Sequence, residues 1–337
     1  MVQLKPLMAD KMIPRRVRVS VGTASVLGLI RYKYDVRPTT AYLMMYTQGG
    51  CRANCGFCPQ ARTSSAKSDM LSRVTWPAFS TIEVLESLKT TTDMKRVCIQ
   101  ALNYPHAFED LLSLIHHISG NAIPISASIQ PIERNQIGEL RDAGLERIGI
   151  PVDAATPKIF RAVKGKDIEG PYEWRSHIKI LDYAVRIFGE RKVSTHLIIG
   201  LGETEEEAIE FIQMMSDLEI NSGLFAFTPI KGTRLGNRPQ PPIDAYRRIQ
   251  IGRYLIVNGL STRQQMIFDS EGRLCDFGLD SKKIGRIVKS GKPFLTSGCP
   301  GCNRPYYNER PGGLPYNYPR PPLSREIEEI RDELKIK

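Results

Sequence analysis

The sequence predicts an α/β chain folded as a partial, TIM-like (β/α)6 barrel with irregular N- and C-terminal extensions. Three observations predict it. Six short apolar runs alternate with amphipathic stretches of helical period, the pattern of βαβ units and a parallel sheet. The 337 residues, 41% of them hydrophobic, suffice for one such barrel with a full core. The alternation fades at both ends, which sets residues 1–39 and 261–337 apart from a barrel core at 40–260.

The elements follow in order. Residues 1–39 are basic and irregular, with one short strand expected over 16–21. Strands are expected at 40–47, 96–101, 125–129, 147–152, 192–199 and 222–229. The stretches between them predict helices at 76–89, 108–119, 133–143, 156–163 with 173–188, and 204–218, and one more follows at 243–258. In the tail, a short helix is expected near 282–289. Residues 306–322, rich in Pro, Gly, Tyr and Arg, read as extended loop, and 324–334 as an exposed charged helix. In a β/α barrel, chemistry collects at the C-terminal ends of the strands.

Bulk composition excludes some classes. No apolar run spans a bilayer, and the first twenty residues are basic and broken by Pro6 and Pro14, unlike a signal peptide. The expectation is a cytoplasmic protein with no membrane role. Seven cysteines in such a chain argue against a disulfide framework. The net charge of +11, from 47 basic and 36 acidic residues, favours an acidic partner. Nucleic acid is a distant alternative, because the chain has no aromatic RNA-binding motif.

The densest chemical signal is Cys51-Arg-Ala-Asn-Cys55-Gly-Phe-Cys58, directly after the first expected barrel strand. Three thiolates at this spacing can hold three irons of a cubane cluster, leaving the fourth open to a small molecule. A zinc site usually takes four ligands, and no histidine lies near this run. The spacing resembles the signature of the radical S-adenosylmethionine superfamily, whose open iron binds S-adenosylmethionine. The resemblance implies a [4Fe-4S] cluster on Cys51, Cys55 and Cys58, and Phe57 beside the adenine. It also implies that Ile198, Gly200 and Glu203 match a second element near the adenine, with His196 in place of its first glycine. The alternative there is a strand-to-helix turn that needs glycine for steric reasons, with a capping box at Thr204 and Glu207.

Asp153, after the fourth expected strand, matches a carboxylate that in the similar biotin synthases serves ribose or substrate; its alternative is a helix N-cap. Lys231 falls in a segment that in this superfamily shapes the cofactor site, or else is a surface lysine. Four cysteines remain, Cys98, Cys275, Cys299 and Cys302, the number that closes a second cluster. Cys98 matches an auxiliary-cluster position of the similar biotin synthases, but their other two cysteines have no match in the strands Ile125-Ser-Ala-Ser-Ile129 and Val193-Ser-Thr-His196, which argues against a buried [2Fe-2S] donor. A zinc knuckle of Cys275, Cys299 and Cys302 is the bland alternative. The run Cys299-Pro-Gly-Cys302-Asn-Arg-Pro-Tyr306, with Pro59-Gln60 after the first motif, resembles the two-component archaeal lipoyl synthases. That resemblance implies a second, auxiliary [4Fe-4S] cluster as sulfur source and an octanoylated lipoyl-carrier domain as substrate. It also implies a sister lipoyl synthase subunit and an electron donor such as ferredoxin. Biotin synthase, or another sulfur-transferring enzyme of this kind, is the nearest alternative.

Overall fold

The computed structural model describes residues 13–120, 123–309 and 312–335. Strand β1 (Arg16–Val19) leads into helix α1 (Val21–Val26) and then β2 (Thr40–Met45), the first barrel strand. A hairpin of β3 (Met70–Leu71) and β4 (Val74–Thr75) and a short β5 (Ala78–Ser80) precede α2 (Thr81–Thr90). The barrel continues as β6 (Arg96–Gln100), α3 (Ala107–Ser119), β7 (Ile125–Ser128), α4 (Arg134–Asp142) and β8 (Leu145–Gly149). Helices α5 (Pro157–Val163) and α6 (Trp174–Phe188) lead to β9 (Val193–Ile199), α7 (Glu205–Asp217), β10 (Asn221–Ala226) and α8 (Ile243–Val257). The tail carries β11 (Ile267–Phe268), β12 (Leu274–Asp276), α9 (Ser281–Lys289) and α10 (Ser324–Leu334).

Six strands, β2-β6-β7-β8-β9-β10, run parallel in that order, as the alternation predicts. Strand β1 adds antiparallel beside β2, and β5 antiparallel beside β1. The period of two puts one face of each strand on the bore and the other under the helices. Register then stacks bore-facing residues in layers. Tyr42 lies opposite Cys98, Cys98 opposite Ser126, and Ser126 opposite Arg147; one step up, Met44, Gln100, Ser128 and Gly149 align. The opposite faces, Ala41, Leu43, Val97 and Ile99 among them, join Leu111, Ile115 and Ile118 of α3 in the main core.

The sheet does not close on itself, since β10 ends the order and β2 pairs with β6 and β1. The stretch 294–309 spans that gap. Leu224 N donates to Ser297 Oγ (2.7 Å) and Asn308 Nδ2 to Ala226 O (2.7 Å), both on β10. On the β2 side, Thr39 N donates to Asn303 Oδ1 (3.0 Å) and Arg304 N to the Tyr42 hydroxyl (3.0 Å).

Three expectations are corrected. The helix expected at 76–89 begins only at Thr81, because Trp76 closes the hairpin and Pro77 leads into β5. The strand expected at 147–152 ends at Gly149: Pro151 has no N–H for a ladder, and Val152 N donates to the Thr195 hydroxyl instead (3.0 Å). Helix α10 is not wholly exposed, since Glu326, Ile327 and Ile330 are buried. Residues 1–12 of the N-terminal extension lie outside the described residues. No helix among those described is long and apolar enough to cross a membrane.

Candidate functional site

A cavity of about 220 Å3 occupies the bore, and Cys51, Cys55 and Cys58 line it together with Cys98, Cys299 and Cys302. The first three sit on the irregular loop that follows β2. That loop is tied by backbone bonds to the ends of other elements. Arg52 N donates to Asn103 O (2.7 Å), Gly56 N to Val163 O (2.8 Å), and Leu235 N to Gly56 O (2.9 Å). Cys58 N donates to Cys55 O (3.0 Å), which turns the second and third thiols toward one side. The buried Asn54 side chain pins the loop, donating to Ile168 O (2.6 Å) and accepting from the Thr63 hydroxyl (2.6 Å). Asn103 N points at the Cys51 sulfur (3.4 Å).

Burial pushes the Cys55 thiol up to about 12, against a smaller opposing pull from Lys164, and pushes Cys58 up as well. Thiols held this way are poor nucleophiles as they stand, and metal coordination is what stabilises their thiolates. Three sulfurs from one fixed loop, facing a cavity, fit a cubane with one open iron.

The structure divides the other expected cofactor-binding residues. Phe57, Asp153 and Ile198 line the cavity, whereas Gly200, Glu203 and Lys231 do not. Gly200 and Gly202 have φ of 106° and 123°, values that favour glycine. A Cβ on Gly200 would come within 2.9 Å of Pro241. The Glu203 carboxylate accepts from Gly200 N (2.5 Å) and Leu201 N (3.1 Å), so it holds this turn. Burial raises its pKa, and those N–H groups oppose the shift. Lys231 is exposed, and its neighbour Gly232 makes the local contact, accepting from Ser65 N (2.9 Å).

Asp153 is buried with φ of 68°, a conformation uncommon for any residue but glycine. It is not the N-cap of α5; that role falls to Thr156, whose hydroxyl accepts from Ile159 N. Its Oδ2 accepts from Lys164 Nζ (2.7 Å), and His196 Nδ1 stands 3.9 Å from Oδ1. Desolvation pushes the His196 imidazole down to about 4 despite this carboxylate, so it faces the cavity neutral at pH 7.

At the other end of the bore, Cys98 comes from β6, and Cys299 and Cys302 from the segment that bridges β10 and β2. Cys302 N donates to Cys299 O (3.0 Å), the turn also seen at Cys55 and Cys58. The Tyr42 hydroxyl lies 3.3 Å from the Cys302 sulfur, and Gln100 Nε2 lies 3.1 Å from that of Cys98. Desolvation lifts Cys98 to about 12 and also raises Cys299. Arg304 lies beside this group with its guanidinium 4.1 Å from the Phe225 ring centre. Among the described residues, no three His, Cys, Asp or Glu side chains converge as a site for a single metal ion.

Cys275, expected with this second set, stands apart. It is exposed on β12, its sulfur 3.5 Å from Arg273 O. Neighbouring Leu274 N is anchored to Glu205 on α7, which Arg248 also clamps. The packing of β12 against α7 thus keeps Cys275 out of the bore. Sequence reasoning passed over Asn103, Lys164, Tyr172 and Arg304, each of which lines the cavity or contacts a residue that does.

Residues 45–215 match the sequence profile described as the radical SAM superfamily. The biotin synthase of Clostridium acetobutylicum is 24% identical over 218 residues, covering 62% of each chain, so the match spans less than two thirds of that relative. That of a Synechococcus species is 24% identical over 277 residues, covering 77% of this chain and 82% of its own. Among solved structures, methylornithine synthase superposes with a TM-score of 0.50 at 15% identity, over 71% of this chain and 74% of its own. The hydrogenase maturase HydG gives 0.51 at 14%, over 71% and 53%. These superpositions speak to the fold alone.

Proposed function

The chain belongs to the radical S-adenosylmethionine superfamily, and from that premise we propose that it is a sulfur-inserting enzyme, a lipoyl synthase component acting on protein-bound octanoyl-lysine. The observation that carries the reading is the pair of thiol sets facing one cavity: Cys51, Cys55 and Cys58 from the loop after β2, and Cys98, Cys299 and Cys302 from the opposite end. When bound, a cluster and S-adenosylmethionine at the first set supply hydrogen abstraction, and a second cluster at the other set supplies sulfide.

The chain's own residues do the rest. Cys98, Cys299 and Cys302 are the three thiol donors of the second set, and the fourth position is filled from outside them. Between the two sets lies an apolar cluster of Tyr42, Met44, Trp76 and Leu102 with Leu71 and Tyr307. An alkyl chain laid there sheds water, and the walls fix which carbon faces each end. Asp153 and Phe57 serve the ribose and adenine. The net charge of +11 suits an acidic carrier domain that delivers the octanoyl group. A sister subunit and a ferredoxin-like reductant complete the system.

Similarity to biotin synthases favours dethiobiotin as a second reading. Against it, the bore residues at the two remaining auxiliary positions are Ser126 on β7 and Ser194 or His196 on β9. Anaerobic turnover with S-adenosylmethionine, dithionite and either an octanoyl-lysine peptide or dethiobiotin decides between them. Mass spectrometry is expected to find 5′-deoxyadenosine together with a sulfur-bearing peptide. A sulfur-bearing dethiobiotin product instead would replace the proposal with the second reading. Absence of 5′-deoxyadenosine from fully clustered protein would remove both.

A further inference from the structure

Lys164 is a fully buried lysine outside the cysteine motifs. It is the C-cap of α5, in the loop between α5 and α6. Its Nζ donates to Asp153 Oδ2 (2.7 Å) and to Pro151 O. It also lies over the Tyr172 and Phe160 rings, 5.4 and 5.9 Å from their centres. The loop is closed tightly around it: Gly170 N donates to Gly165 O (2.9 Å), and a Cβ on Gly170 would stand 2.0 Å from Lys164 O.

A buried ammonium loses several kcal/mol of hydration, which its partners must offset. A surface lysine would avoid that cost, so its interior place calls for a job done there. Its charged partner is Asp153, whose backbone is itself held in the left-handed region between two bonds to β9. Asp153 N donates to His196 O (2.8 Å), and Ile198 N donates to Asp153 O (3.0 Å). Strain of this kind persists where surrounding contacts over-determine it, and it gathers at functional sites.

The consequence is directional. Lys164 engages Oδ2, and the titratable neighbour of Oδ1 is the cavity-lining His196, whose Nδ1 is beyond hydrogen-bonding distance at 3.9 Å. The same lysine follows Val163, whose carbonyl receives Gly56 N of the cysteine loop. Cysteine loop and carboxylate are thereby set against one short piece of chain.

We infer that Lys164 is a positioning residue that fixes the Asp153 carboxylate so that Oδ1 accepts from the ribose hydroxyls of S-adenosylmethionine. The inference rests on the assignment of Asp153 to the ribose, not on which sulfur acceptor the enzyme uses. Its test therefore needs no acyl substrate.

The experiment measures binding of S-adenosylmethionine and of its 2′,3′-dideoxyribose analogue to anaerobically reconstituted protein. Wild type is expected to prefer the natural ligand by about tenfold, the worth of one charge-assisted hydrogen bond. Lys164→Met, at unchanged iron content, is expected to lose that preference while binding the analogue as wild type does. Asp153→Asn is expected to lose the preference too, and Asp153→Asn/Lys164→Met to bind no more weakly than Asp153→Asn alone. That double variant leaves no buried charge unpaired, so it decides the matter even if Lys164→Met fails to fold. Retained preference in Lys164→Met, or losses that multiply in the double variant, would overturn the positioning role. Equal binding of both ligands by wild type would overturn it through Asp153, whatever the sulfur chemistry proves to be.

Discussion

At the scale of single residues, the seven cysteines sort by environment rather than by type. Alanine at Cys51, Cys55 or Cys58 is expected to remove about four irons and all 5′-deoxyadenosine. Serine at Cys98, Cys299 or Cys302 is expected to keep 5′-deoxyadenosine but abolish the sulfur-bearing product. Cys275→Ser is expected to change neither, because that thiol lies on the surface. Iron analysis and product chromatography on the three groups check all of this. His177 gives a pH prediction. Desolvation first, then Lys164, hold its imidazole down at about 3. In the neutral ring Nδ1 donates to Glu173 O (3.0 Å) and Nε2 lies 3.2 Å from the Gln130 side-chain amide, whose NH2 can turn to donate to it. The unfolded chain, with an ordinary histidine near 6.5, binds the extra proton first as pH falls. Stability contributed by the neutral ring is therefore present above about pH 6.5 and is lost on acidification toward pH 3. Between pH 7 and 5 the loss amounts to about 2 kcal/mol. Thermal melts at the two pH values are expected to show a larger drop for wild type than for His177→Gln.

At the scale of elements, the site is made by loop junctions rather than by helices or strands as such. The α5–α6 connection shows this most plainly, because Gly165 and Gly170 let two backbone segments touch around Lys164. Gly170→Ala must push a carbonyl aside and is expected to cost about 1–3 kcal/mol, seen as a lower melting temperature. Gly285→Ala is the control: inside α9 its Cβ meets nothing within 4 Å, and alanine there should gain about 0.5–1 kcal/mol. The alternation of strand and helix was legible in the sequence because period and length are local properties. The first three cysteines were legible because they are close together in the chain, at C-x3-C-x2-C spacing. Lys164 was not, since one lysine after a helix looks like any solvated side chain until its loop is seen to fold inward. Nor was the separation of Cys275 from Cys299, which depends on Glu205 and Arg248 holding β12 against α7. Counting thiols carries no information about that packing.

At the scale of the whole molecule, the barrel is a trough of six parallel strands, and residues 294–309 make its missing wall. Asn308 is the most exacting link, buried, donating to Ala226 O and accepting from Asn317 Nδ2 (3.3 Å) in the loop ahead of α10. Asn308→Ala removes that carbonyl's shorter hydrogen bond, leaving it only the Thr228 hydroxyl at 3.3 Å, and is expected to cost about 1–3 kcal/mol. Hydrogen exchange should rise along 294–309 while β2 to β9 stay protected. The same wall has a consequence in time. A chain emerging from the ribosome N-terminus first completes all six strands and the first cysteine loop before this wall exists. The bond from Arg304 to Tyr42 joins residues 262 positions apart. Until that late contact forms, the bore lies open along its length, and whatever must be placed deep inside can enter from the side. Cys299 and Cys302 arrive with the wall itself, so sealing the chamber and furnishing its far end are a single act of assembly.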